Sequence, residues 1–183
     1  MRALSMRDVL IVILLLPWLF SWPASPALPA SSEFAADKPS PLRLIQRGNS
    51  DETITRFSGR VRLTGRFLVA WDVVAQTPRS LRVTFLPNDD SAMLLPHAAG
   101  SASVKELLLE NNEAAAKLLL DRDAAASVLA KEALALAGEA TVTIADYRSV
   151  VACDQRQYLA RLVSVAASRG VAVASAENKR GGC

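Results

Sequence analysis

The residues able to do chemistry are few, and most of them sit late in the chain. Cys153 and Asp154 are adjacent, Tyr158 follows closely, Cys183 is the last residue, and His97 is the single histidine among 183 residues. A thiol becomes a nucleophile when a base within hydrogen-bond reach takes its proton. Cys153 with His97 as base is therefore one candidate, the thiol-dependent or hydrolytic enzyme reading, although no spacing brings the two into one cleft. Zinc takes four protein ligands at structural sites and three at catalytic ones, and one His with two Cys is a thin supply. His97, Met93 and Trp71 are types that can hold a soft cuprous ion, the basis of a metal-handling reading. Trp71 and Met93 nevertheless fit a core better, and His97 a loop. Asn88, Asp89, Asp90 and Ser91 lack the regular oxygen spacing of a calcium loop, and read as a helix cap ahead of an apolar turn. There is no glycine-rich phosphate loop, nucleophile elbow or recognisable catalytic carboxylate pair. No catalytic residue, metal ligand set or cofactor is expected.

Ligand binding rests on a different pattern. From Phe57 to Trp71 the odd positions are apolar or glycine, while Arg60, Arg62, Thr64 and Arg66 occupy even ones, the alternation of a half-buried strand. The three arginines form either an anion-binding stripe or a solvated face whose long stems cover apolar surface, and on spacing alone the second is preferred. Asp154 suits a turn, and Tyr158 can bury its ring while its hydroxyl stays wet. The arginine-bearing strand, with the stretch around Asp154 and Tyr158, is the expected ligand surface.

These residues need elements to position them. GEATVTIADYRSVVACDQRQYLARLVSVA, residues 138–166, reads as two strands meeting around Cys153 and Asp154. Ala140, Val142 and Ile144 share one face, whereas Tyr158 to Ala166 is apolar on both, as a central or closing strand would be. The long strand over 57–71 carries Gly65 internally, which a tightly curved sheet requires. Gln76 to Arg79 reads as a turn, and Leu81, Val83 and Phe85 as the next strand. Val104 to Leu109 is strand-like; Asn111 and Asn112 offer caps for a helix from Glu113, and Asp121 and Asp123 start another, with Gly138 placed to end it. Leu134 and Leu136 would equally satisfy a strand. The expectation is an α+β fold: a small curved antiparallel sheet or OB-like β-barrel with a helical crossover before the last two strands.

Arg2 and Arg7 precede the apolar run Val9 to Trp22, about 14 residues against the roughly 20 of a membrane-spanning helix, and small residues and prolines follow. This predicts a signal peptide over 1–27, cleaved after Ala27 or Ala30, with an uncleaved anchor as the alternative. Residues 28–52, rich in Ser, Pro and mixed charge, predict a flexible linker on which Leu42, Leu44 and Ile45 dock or stay mobile. The barrel is expected over 53–170 and a tail over 171–183. In an oxidising compartment Cys153 and Cys183 pair as a disulfide, or Cys183 stays free or joins a second chain. With 51% hydrophobic and 21% charged residues the chain holds one core. A net charge of +3, part of which leaves with the signal, is too small to imply a nucleic-acid partner.

The segments FSGRVRLTGRF and ACDQRQYLARL resemble small exported proteins of proteobacteria over Phe57 to Ala166. The resemblance implies a compact secreted domain and brings no activity or site residues with it. The combined expectation is a periplasmic or secreted, non-catalytic binding or envelope-associated module, with an envelope protein or small ligand as partner and membrane association only through the signal segment.

Overall fold

The computed structural model describes residues 34–46, 54–74, 77–152 and 155–174, all within a unit that starts at Ser32. Strand β4 (Arg60–Val74) organises it. Val61, Leu63, Phe67 and Val69 are buried while Arg60, Arg62, Thr64 and Arg66 face out, as period-2 alternation requires. Along one edge β4 pairs antiparallel with β5 (Thr77–Pro87), along the other with β8 (Ala135–Ala152). β5 continues to the short β7 (Leu107–Leu109), β7 runs parallel to β9 (Gln155–Val173), and β9 returns antiparallel to β8. The ring is closed. Counted along the chain, its strands lie in the order first, second, third, fifth, fourth, and the helices α2 (Asn112–Leu119) and α3 (Arg122–Leu129) cross between the third and fourth. That is an α+β, OB-like barrel, as the strand pattern predicts.

Curvature comes from glycines where backbones nearly touch. A β-carbon on Gly65 would lie 2.2 Å from the Leu86 carbonyl oxygen, so only glycine lets the β5 backbone come this close to β4 where Gly65 pairs with Pro87. Gly138 occupies β8 opposite Phe67, and a β-carbon would meet that ring and the Arg169 carbonyl at 2.8 Å each. Phe67, Phe85, Leu107, Val142, Ile144 and Leu162 fill the interior and are almost wholly buried, each side chain contributing about 1.5–3 kcal/mol by leaving water.

The three-residue β7 leaves a gap between β5 and β9, which two asparagines bridge. The Asn111 amide donates to the Leu162 carbonyl and accepts from the Leu162 N–H, both at 3.0 Å. Asn112 Oδ1 accepts from the Val83 N–H at 3.0 Å. These side chains replace missing ladder bonds, so the helix-cap role expected for Asn111 is not realised: it stands at the N-cap of α2 without a side-chain cap bond. Asp121 does cap α3, accepting from Ala124 N–H at 2.8 Å, and Asn88 caps α1 (Asp89–Ala92) through Ser91 N–H.

Three further expectations change. The second helix ends at Leu129 and not near Gly138, because Lys131 turns left-handed (φ 65°) and Ala135 enters β8. The hairpin turn is shorter than 76–79, since Thr77 and Pro78 already pair with Val74 and Val73. The last strand extends to Val173, beyond the expected tail boundary at 171. The described part of the 28–52 stretch packs instead of dangling. β1 (Phe34–Ala35) pairs with β6 (His97–Ala98), β2 (Arg43–Gln46) pairs with β3 (Ile54–Ser58), and Leu42 is buried. Phe34 packs partly against the core, whereas Leu44 and Ile45 stay exposed on β2. β3 continues along the β8 edge used by β4, with Gly59 (φ 108°) between them. The signal segment, Cys153, Asp154 and Cys183 lie outside the described residues.

Candidate binding face

The outward side of β4, β8 and β9 carries the predicted arginines. Outward neighbours on a strand are about 7 Å apart, so Arg60 and Arg62 stand one such step apart and Arg66 two steps further, with Thr64 between. All three are exposed, and none has an ion-pair or hydrogen-bond partner among the described residues. Across the ladder, Arg62 faces Thr143, Thr64 faces Thr141 and Arg66 faces Glu139. One step on, β9 presents Ser164, Ala167 and Arg169. The Thr64 and Thr141 hydroxyls are 3.1 Å apart, and Arg169 engages Glu139 at 3.1 Å with both side chains well exposed. An exposed pair of this kind is worth little to stability, so it remains exchangeable. The result is a row of guanidiniums on a floor of small hydroxyls.

Tyr158 belongs to the opposite side of the β8–β9 ribbon. Its ring stacks on Tyr147 (centroids 6.0 Å apart, interplanar angle 2°), and its hydroxyl accepts from Ala98 N–H at 3.5 Å. Tyr147 is fully buried, donates to the Pro96 carbonyl at 2.6 Å, and lies 5.3 Å from the Phe57 ring. Phe34 meets Phe57 edge-on at 5.8 Å, and the Arg156 guanidinium lies 5.0 Å over Phe34 while donating to Ser149 Oγ. This cluster fastens β1 and β6 to the barrel. Burial pushes the Tyr147 phenol well above its ordinary value, Tyr158 adds to the rise and Arg156 opposes it. Tyr158 therefore has a packing partner already, and the ribbon separates it from the arginine row.

The other chemistry-bearing residues are dispersed. His97 Nδ1 faces the Leu95 carbonyl at 3.2 Å and Nε2 lies 3.7 Å from Asp37, at the junction of β1 and β6. Trp71 Nε1 donates to the Val128 carbonyl at 2.7 Å and holds α3, with Lys131 Nζ 4.8 Å from its ring. Among the described residues no group of three or more His, Cys, Asp or Glu is placed to hold a metal ion, and no helix is long and apolar enough to cross a membrane.

Tyr147 was the residue the strand pattern should have exposed. Ala140, Val142 and Ile144 set an even inward parity on β8, whereas Tyr147 is odd, and a parity switch within one strand signals a bulge. The register slips between Ala145 and Arg148, with Asp146 left-handed at φ 54°. Comparison of the chain with family models, with curated proteins and with solved structures finds no match.

Proposed function

We propose that the chain works outside the cytoplasm as a non-catalytic binding module whose arginine face docks on a linear polyanion of the cell envelope. The observation that supports this is the row Arg60, Arg62 and Arg66: three exposed cations on one strand with no ion-pair partner among the described residues, the acid opposite Arg66, Glu139, being engaged by Arg169. Guanidinium is a planar fork suited to phosphate, sulfate or carboxylate oxygens, and the hydroxyls of Thr141, Thr143 and Ser164 offer further donors beside it. The row is one strand wide, which suits a chain more than a plane. Single-stranded nucleic acid would call for aromatic platforms, and the outward positions 60–66, 139–143 and 164–169 contain none. The arginine-flanked apolar run at the N-terminus supports export.

The test is heparin binding by the protein lacking residues 1–27, titrated over salt. Affinity should fall steeply with ionic strength, and changing Arg60, Arg62 and Arg66 together to Gln should weaken it by about a hundredfold at low salt. Thermal stability should stay nearly constant, since exposed substitutions shift it by about 0.5 kcal/mol or less. Unchanged heparin affinity in the triple variant would sink the proposal.

A further inference from the structure

The bulge in β8 opens a groove of about 430 Å³, within the usual size of small-molecule sites. Asp146 takes a left-handed conformation rare outside glycine (φ 54°). Around it Tyr147 faces inward and Asp146 outward, leaving a depression with Phe57 and Tyr147 in its lining. Three arginines from three strands line the same depression: Arg56 from β3, Arg148 from β8 and Arg161 from β9.

Their charges are not balanced. Arg161 Nε donates to Asp146 at 2.6 Å, and Arg148 pairs with Glu110. Arg56 has no acid among the described residues, yet it stands directly opposite Arg148 in the β3–β8 ladder. Like charges facing across strands repel. Arg148 also keeps its Nε buried with no acceptor, whereas buried donors are ordinarily satisfied. An anion held between the outer guanidinium nitrogens of Arg56 and Arg148 would relieve that repulsion. Three arginines against two carboxylates leave an excess of one positive charge, which suits a monoanion better than a phosphate dianion. Ile45, 64% exposed, lines the groove too and offers apolar surface that water does not stabilise.

We propose that this groove binds a small organic carboxylate, its carboxylate bridging Arg56 and Arg148 and its apolar body lying against Ile45. The site is separate from the row Arg60, Arg62 and Arg66. Calorimetric titration of the protein lacking residues 1–27 with hexanoate, and with neutral hexanamide of the same shape, tests it. Hexanoate should bind and hexanamide should not. Arg56→Gln should weaken hexanoate binding about tenfold or more, the loss of one charge-assisted contact, without lowering the melting temperature, because Arg56 is exposed. Ile45→Glu, also an exposed change, should weaken it by repelling the anion. The triple Arg60, Arg62, Arg66→Gln protein should bind hexanoate as the parent does. Absence of hexanoate binding, equal binding of the amide, an unaffected Arg56→Gln variant, or an equal loss in the triple variant would each overturn the assignment.

Discussion

Gly65→Ala should lose at least about 3 kcal/mol of stability, at the upper end of what overpacking costs. The added β-carbon would stand 2.2 Å from the Leu86 carbonyl oxygen, 2.8 Å from Pro87 Cα and 2.9 Å from the Leu86 carbonyl carbon. All three are backbone atoms, so no side chain can turn aside to relieve the clash. β5 would have to lift away where it turns into α1, and that region also supplies the Asn88 N–H bond to the Thr64 carbonyl and the Ser91 hydroxyl that accepts from Thr64 N–H. Small domains are stable by only about 5–15 kcal/mol. The change should therefore show as a large fall in the denaturant midpoint. Gly100→Ala is the control: a β-carbon there meets nothing within 4 Å, and the only penalty is its left-handed backbone (φ 78°). A Gly65→Ala midpoint equal to that of Gly100→Ala would contradict the close backbone approach of β4 and β5 at Gly65.

Tyr147→Ala should cost about 3–5 kcal/mol, the range for removing a buried aromatic ring. Its ring fills the centre of the Phe57–Tyr147–Tyr158 stack, and its hydroxyl answers the Pro96 carbonyl. Tyr147→Phe keeps the ring and leaves that buried carbonyl without its donor, which should cost about 1–3 kcal/mol. The same residue sets an alkaline limit. Its folded-state pKa lies above the ordinary value of 10.0 because burial disfavours the phenolate. Above about pH 10 the unfolded chain releases this proton while the folded chain retains it. The stability contributed by the buried neutral phenol is thus complete below that pH and is lost as pH rises toward the folded-state value. Equilibrium unfolding measured across this range should show a steeper alkaline decline in the parent than in Tyr147→Phe. Parallel declines would mean that the phenol is not buried.

Much of this fold could be read from alternation alone. Val61, Leu63, Phe67 and Val69, and Ala140, Val142 and Ile144, are buried as their spacing requires, and Gly65 marks the curvature. The arginines Arg60, Arg62 and Arg66 face outward for the same reason. Reading fails where tertiary partners override a local signal. Asn111 and Asn112 look like helix caps, yet their amides bond to β9 and β5 because a three-residue β7 cannot supply the ladder. Leu134 to Gly138 is rich in helix formers, but pairing with β4 and β9 makes Ala135 onward strand. Phe34 and Leu42 lie in a polar, proline-containing stretch whose strand pairs are with distant residues, Ala98 and Ser58 among them. The groove at Arg56, Arg148 and Arg161 depends on one slipped residue, Asp146, and its three arginines are far apart in sequence. The expected partnership of Tyr158 with the arginine row is not formed, because the two project from opposite sides of one ribbon.

If a polyanion docks on the arginine row, its contacts must fall on β4 and the strands beside it. The most direct test is to map amide chemical shifts of the protein lacking residues 1–27 during titration with a defined heparin oligosaccharide. The largest shifts should fall on residues 60–66 of β4 and on their outward partners 139–143 and 164–169, and they should fade as salt is raised. Shifts confined to other surfaces, with residues 60–66 unmoved at saturation, would contradict it.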